Sequence, residues 1–332
     1  MPIRVTDDNS GDFKGNVPGG SGRRGSGNRG GGGLGGILPS LLGMVFRNPK
    51  VGIPLLIIAG LFFYFGRGCG GSSFQSDQKM EVGTGCAMKQ EVYDKASQFE
   101  QLDAAYNPLP EAISLQEYCP HVGNQGTQGS CVGWSSSYGA RTILHNISTG
   151  QKNTAFSPAF LYNQIGMEGC QGAYLNHAMQ TLENVGDVDI DKFPYDEQDC
   201  TRKPSQQLQQ EAAQYKIKGF SRLSKDANEY QVDMLAIKQN LARQAPVVIG
   251  MSVGGTFMQM MGQEMWIPSE DDYAKNGFSG HAMCVVGYDD FKEFEGKRIG
   301  SFLLMNSWGP EFGKKGFIWV PYEVFEYFVV EA

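Results

Sequence analysis

Between residues 19 and 36 the chain is mostly glycine, interrupted by Ser21, Arg23, Arg24, Ser26, Asn28, Arg29 and Leu34. A stretch of that composition cannot bury enough apolar surface to offset the entropy of ordering its backbone. It confines any folded domain to the remainder and makes residues 1–50 a flexible Gly/Arg-rich tail. Arginines spaced by glycine also suit an arm that touches nucleic acid or anionic lipid. The formal charge of −7 over 332 residues argues against a nucleic-acid-binding main domain, so no nucleic-acid partner is expected.

Residues 51–65 read Val-Gly-Ile-Pro-Leu-Leu-Ile-Ile-Ala-Gly-Leu-Phe-Phe-Tyr-Phe, without a charge. The run falls short of the roughly 20 residues a spanning helix needs. Gly66 and the snorkelling of Lys50 and Arg67 lengthen it. Residues 51–66 are therefore expected to be a transmembrane helix, through which the protein partners a membrane. The long lead and the Gly66-Arg67-Gly68-Cys69 junction are unlike a cleaved signal peptide, so the segment reads as an uncleaved signal-anchor. Arg4, Lys14, Arg23, Arg24, Arg29, Arg47 and Lys50 precede it, whereas only Arg67 and Lys79 follow closely. That bias places the N-terminus in the cytoplasm and the rest outside, in a periplasm or at a cell surface. Such a compartment permits disulfides. The cysteines are Cys69, Cys86, Cys119, Cys131, Cys170, Cys200 and Cys284, an odd set that leaves a free thiol.

Residues 67–108 are polar and mixed, and read as a linker or short pro-segment with one short helix near 89–102. From 109 to 332 the pattern is globular. Helices are expected over 131–147, 173–184 and 229–243, and strands over 246–253, 281–288, 301–305 and 316–320. Helices first and strands later indicate an α+β domain.

The chemistry begins at Asn124-Gln125-Gly126-Thr127-Gln128-Gly129-Ser130-Cys131. A polar, glycine-rich loop runs into a cysteine and a helical pattern follows, so the sulfur sits at a helix N-terminus. Amide dipoles there favour the reactive thiolate, and a nearby imidazolium would lower the thiol further, into the roughly 3.5–7.5 range. Four histidines are available as bases. His145 lies on the same helix about 20 Å from Cys131. His121 reads as a surface residue, and His177 falls inside a helical pattern. His281 follows Phe278-Ser279-Gly280 and opens the apolar run Met283-Cys284-Val285-Val286-Gly287-Tyr288. Asn306 ends a second apolar run, before Ser307-Trp308-Gly309. Two adjacent strands would bring both side chains to one sheet end. There an amide oxygen accepts the imidazole N–H without adding charge, and Trp308 shields that bond from water.

Gln-Gly-x-x-Gly-Ser-Cys, Gly-His-Ala-x-x-x-Val-Gly-Tyr and Asn-Ser-Trp-Gly-x-x-x-Gly-x-x-Gly, in that order, resemble the papain and cathepsin family of cysteine peptidases. The spacing of 150 residues from Cys131 to His281 and 25 more to Asn306 fits as well. The resemblance covers residues 109–330. It implies a helical lobe over 131–210, a strand-rich, barrel-like lobe over 215–332 and a cleft between them. It also implies that Cys131 is the nucleophile, His281 the base, Asn306 its orienting residue and Gln125 an oxyanion donor with the Cys131 amide. Gly169-Cys170-Gln171-Gly172-Ala173 resembles the segment that pairs with extended substrate. There Gly172 matches, and the Ala173 methyl stands where a second glycine would, threatening to crowd the substrate strand. Gln128 replaces the family's upstream cysteine, so Cys170 is expected to pair with Cys200, the two bracketing the helical lobe. Cys119 and Cys284 are expected to be unpaired.

The expected activity is hydrolysis of protein or peptide substrates, with no cofactor and no metal. The acidic stretch Asp289, Asp290, Glu293 and Glu295 reads as a solvated loop. The long helical pro-segment of the family is not evident, so residues 67–108 read as a tether. Two other readings share the cleft: a thiol amidase or transpeptidase acting on cell-wall peptides, and a catalytically silent binding module.

Overall fold

The computed structural model describes residues 82–101, 108–152, 155–225 and 231–332. The expected tail (1–50), transmembrane segment (51–66) and first part of the linker lie outside the described residues. Among the described residues, no helix is long and apolar enough to cross a membrane.

Strand β1 (Cys86–Ala87) and helix α1 (Gln90–Tyr93) come first, followed by β2 (Ala112–Ser114). Three abutting pieces, Cys131–Gly133, the π-helical Trp134–Arg141 and Thr142–Thr149, form one continuous helix, α2. It ends at Gly150, whose φ of 72° is the left-handed cap conformation glycine adopts without strain. Helix α3 (Pro158–Ile165) starts where Ser157 Oγ accepts the Phe160 amide and Pro158 presets the first turn. Then come β3 (Ala173–Tyr174), α4 (Leu175–Asn184), α5 (Gln206–Ala212) and α6 (Met234–Ala242), the last capped by Asp233. Strands β4 (Val247–Val253) and β5 (Ser279–Asp289), the hairpin β6 (Glu293–Phe294) and β7 (Lys297–Arg298), β8 (Ser301–Met305) and β9 (Phe317–Pro321) follow. Helix α7 (Tyr322–Phe328) and strand β10 (Val329–Glu331) complete the order.

The strand lobe is one antiparallel sheet in the order β10-β4-β5-β8-β9, with β2 added beside β5. The expected barrel is thus an open six-stranded sheet. It is buried on both faces: Val285, Phe302, Leu304 and Ile318 are fully covered, and Ile143, Ile237, Leu241 and Phe325 pack into the same core. Each such side chain contributes about 1.5–3 kcal/mol of transfer free energy. The helical lobe has its own core, in which Val132, Leu161, Tyr162, Ala178 and Leu182 surround Cys131. Helix α2 joins the two lobes. Its Gly139 lies so close to β5 that a Cβ there would be 3.2 Å from Cys284 Cβ.

Of residues 67–108, expected as a linker or short pro-segment, only 82–101 and 108 are described. Residues 82–101 dock on the domain, and only Gln90–Tyr93 of the expected 89–102 helix forms. Cys170 and Cys200 are disulfide-bonded, while Cys86, Cys119, Cys131 and Cys284 are free thiols.

Strand β10 buries Glu331, which is 3% exposed. Burial pushes its carboxyl up to about 8, opposed by the hydrogen bond from the Lys89 amide. A folded value above the unfolded one means this contribution to stability is full below about 4.5 and is lost as pH rises through about 8. Glu331→Gln is therefore expected to melt with wild type near pH 4 and several degrees above it near pH 9. Thermal melts at both pH values check this, and equal melts at the alkaline end would contradict it.

Candidate active site

Helix α2 begins at Cys131, and burial among helical-lobe side chains leaves the residue 0% exposed. Burial pushes the thiol up to about 12, outweighing the downward pull of the nearby Ala282, Val132 and Gly85 backbone amides. The sequence led us to expect an activated thiol. Here burial works against ionisation, and residues 82–88, an N-terminal strap, approach the sulfur through Gly85.

The facing wall comes from the antiparallel pair β5 and β8, which match Cys284 with Met305. His281, near the start of β5, therefore meets Asn306, just past the end of β8. The bond between His281 Nε2 and Asn306 Oδ1 is 2.7 Å, and Asn306 Oδ1 also accepts the Ser307 amide at 2.8 Å. Trp308 stacks on the imidazole with centroids 4.4 Å apart, covering that bond as expected. With Nε2–H donating to Asn306, Nδ1 is left as the basic nitrogen, and it has no hydrogen-bond partner. Burial lowers the imidazole to about 4, against the upward pull of Asn306.

Gln125 is held by several groups. Ser307 Oγ donates to its Oε1 at 2.6 Å, so Nε2 is the end turned to the cleft. Tyr195 OH donates to the Gln125 carbonyl at 2.8 Å and lies 2.7 Å from Ser130 Oγ. Glu197 Oε1 accepts both the amide and the hydroxyl of Thr127 at 2.7 Å. Ser307 stood inside a motif seen in the sequence without a role assigned to it. Tyr195 and Glu197 carry no local signal, since they act across about 70 residues.

The other histidines lie elsewhere. His121 is exposed, His145 packs edge-on against Phe156 and Tyr215, and His177 packs against Tyr174. Among the described residues no acidic, histidine or cysteine cluster suits a metal.

Residues 82–88 run through the cleft. The Gly83 carbonyl accepts Gln125 Nε2 at 3.0 Å and Trp308 Nε1 at 3.1 Å. The Gly83 amide donates to the Gly126 carbonyl at 2.8 Å, and the Gly85 amide to the Gly280 carbonyl at 3.0 Å. Ala173 donates its amide to the Gly85 carbonyl at 2.9 Å, and β1 pairs parallel with β3. The Ala173 methyl therefore does not stop this segment from taking a partner strand. Gly172, at φ 147°, has no room for a side chain, because a Cβ would overlap the Gly85 carbonyl. The expected site residues Cys131, Gln125, Gly172, His281, Asn306 and Trp308 thus all border one cleft, and the strap fills it.

A family model described as papain family cysteine protease matches residues 109–328. An uncharacterized peptidase C1-like protein of Acanthamoeba polyphaga mimivirus is 26% identical over 223 residues, 65% of this chain and 66% of that protein. Cathepsin K of Gallus gallus is 27% identical over 216 residues, 63% of this chain and 58% of that one. The chain thus spans two thirds or less of these relatives' lengths. Among solved structures, xylellain, a cysteine protease from Xylella fastidiosa, shares the fold with a TM-score of 0.60 at 23% identity. That match covers 76% of this chain and 94% of that one.

Proposed function

Because the chain belongs to the papain family of cysteine proteases, whose model matches residues 109–328, we propose that it is a cysteine endopeptidase carried by Cys131, His281, Asn306 and Gln125. The observation that carries the reading is the 2.7 Å bond from His281 Nε2 to Asn306 Oδ1 across the cleft from Cys131. It leaves the other ring nitrogen free to exchange a proton with the thiol. With the cleft open, Cys131 passes its proton to His281 and the thiolate attacks a peptide carbonyl carbon. The carbonyl oxygen becomes an oxyanion held by Gln125 Nε2 and the Cys131 amide. The tetrahedral intermediate collapses as imidazolium gives its proton to the leaving amine, forming a thioester. Water, deprotonated by His281, then attacks that thioester, releasing the carboxylate and the thiol.

The bound Gly83 carbonyl supports the same roles, since Gln125 Nε2 already receives a peptide carbonyl where substrate would place one. The strap makes this a latent arrangement. An epoxide-type thiol-peptidase inhibitor is expected to modify Cys131, and no other cysteine, once the strap has been displaced or cleaved away. Casein hydrolysis should appear in parallel. Peptide mapping checks the adduct, and an open cleft that neither takes the label nor cleaves casein would end the proposal.

Residues 51–66 serve in this reading as a membrane anchor, with residues 1–50 cytoplasmic and the peptidase outside. The uncharged apolar run and its basic N-terminal flank support this, as does the Cys170–Cys200 disulfide, which suits an oxidising compartment. The full chain should sediment with membranes and resist carbonate extraction. Protease added to sealed cells or spheroplasts should reach residues 109–332. Recovery in the soluble fraction would exclude the anchor.

A further inference from the structure

One titratable group buried beside the cleft has no part in the reaction above. Glu331 ends strand β10 and is 3% exposed. The Lys89 amide lies beside its carboxyl, and among the described residues no lysine, arginine or histidine forms an ion pair with it. Gly250 on β4 pairs with Glu331 on one side and with Ala282 of β5 on the other. Cross-strand partners point to the same face of a sheet. Ala282 shares a core with Cys131 and with Cys86 of the strap, so that face is the one turned to the cleft. In the middle of this row residue 250 has no side chain, and the strap takes the space. A Cβ on Gly250 would lie 3.1 Å from Cys86 Sγ and 3.2 Å from Met88 Sδ. Val248, two residues before Gly250 and therefore on the same face, packs into the same core. The strap thus plugs a socket with Val248, Gly250 and Ala282 along its sides and Glu331 at its end.

We propose that, once the strap has left, Glu331 makes the peptidase select substrates with an arginine or lysine close to the cleaved bond; the inference rests on the peptidase reading above and names its substrate class. While the strap is docked, the neutral side chain of Cys86 fills the socket, and burial holds the Glu331 carboxyl up at about 8, mostly protonated at neutral pH. When the strap leaves, water reaches the carboxyl and it ionises. A carboxylate in so covered a place is costly without a partner. A guanidinium or ammonium supplies one, at the end of an apolar stem that packs along Val248 and Ala282. An apolar side chain leaves the charge unpaired, and an acidic one meets it with like charge.

The strap also measures how far the socket lies from the bond. Its Gly83 carbonyl accepts Gln125 Nε2 at 3.0 Å, where a scissile carbonyl would sit, and Cys86 follows three residues on. At about 3.3 Å per residue the socket is within roughly 10 Å of that carbonyl. The side chain it takes therefore lies within about three residues of the cleaved bond.

Two experiments test it, the first without catalysis. In the full chain, Cys86→Lys and Cys86→Met put side chains of similar length into the socket, one charged and one not. Iodoacetamide is expected to modify Cys131 about tenfold more slowly in Cys86→Lys than in Cys86→Met, because the ammonium pairs with Glu331 and holds the strap down. With Glu331→Gln added to each, the two rates should agree within about twofold. Cys86→Arg against Cys86→Leu repeats the comparison if melts show one of the first pair unfolded. Rates that ignore the charge at residue 86 in both backgrounds would overturn the socket. In the second experiment the strap is displaced and fluorogenic peptides are cleaved, with arginine or leucine placed in turn at each of the three positions on either side of the bond. At one position arginine should give about tenfold higher kcat/KM than leucine, and Glu331→Gln should bring that ratio to about one, chiefly through KM. Arginine and leucine cleaved equally at every position would overturn the inference and leave the peptidase standing. A chain that cleaves no peptide, yet keeps the charge difference between the Cys86 variants, would overturn the peptidase reading and leave Glu331 as the end of a cation-binding socket.

Discussion

With the cleft opened, replacing His281 by alanine is expected to lower kcat/KM on a peptide substrate by about 10⁴-fold or more, and Cys131→Ala to abolish the reaction. The size follows from what each group does. Without His281 nothing takes the thiol proton at neutral pH, and nothing protonates the leaving amine. The two losses fall on the same residue, so the double variant should be no worse than Cys131→Ala alone. Gln125→Ala should cost less, about 10²–10³-fold in kcat, because the Cys131 amide still faces the oxyanion. Its KM should change little, since the donor matters most where charge develops. Steady-state kinetics on a fluorogenic peptide check all three. A His281→Ala enzyme within tenfold of wild type would place the base elsewhere, although His121 is exposed, His145 packs on Phe156 and Tyr215, and His177 packs on Tyr174.

The site was legible in the sequence to the extent that its chemistry is local. Cys131 follows a glycine-rich loop and begins a helix, and His281 and Asn306 each adjoin an apolar run that becomes a central strand. Antiparallel pairing of β5 with β8 then brings the two together. What sets the Gln125 loop in place was not legible, because Tyr195 reaches the Gln125 carbonyl and Glu197 reaches Thr127 from a loop about 70 residues away. Helix α3 carries the Ser157-Pro158 start signal, yet six of its eight residues are buried. It lacks the one-sided apolar stripe that periodicity detects. The strand lobe was legible as strands, while its closure was not, since whether edges pair depends on register rather than composition. The strap was hidden for the same reason. A Gly-Thr-Gly-Cys segment has weak strand propensity by itself, and β1 exists only because β3, 87 residues onward, offers it a partner.

That strap is expected to yield to a single side chain. Gly85→Val should raise the rate at which iodoacetamide modifies Cys131 in the full chain by about 5–150-fold, the factor that 1–3 kcal/mol of overpacking converts to. A Cβ on Gly85 would overlap the backbone carbonyl of Gly129, which belongs to the loop that holds Cys131 and cannot swing aside as a side chain would. Gly83→Val meets the Gln128 carbonyl in the same way, so both variants should act alike through contacts on different residues. With the strap out, water returns to the cleft, and the burial that pushes the thiol up and the imidazole down is reduced for both. The thiol then falls and the imidazole rises, so the fast phase should persist toward neutral pH instead of requiring strong alkali. Protection in wild type combined with exposure in both variants would identify residues 82–88 as the barrier. If both variants react at the wild-type rate while their melts show them folded, Cys131 is shielded by the domain itself, and the latent state has another cause.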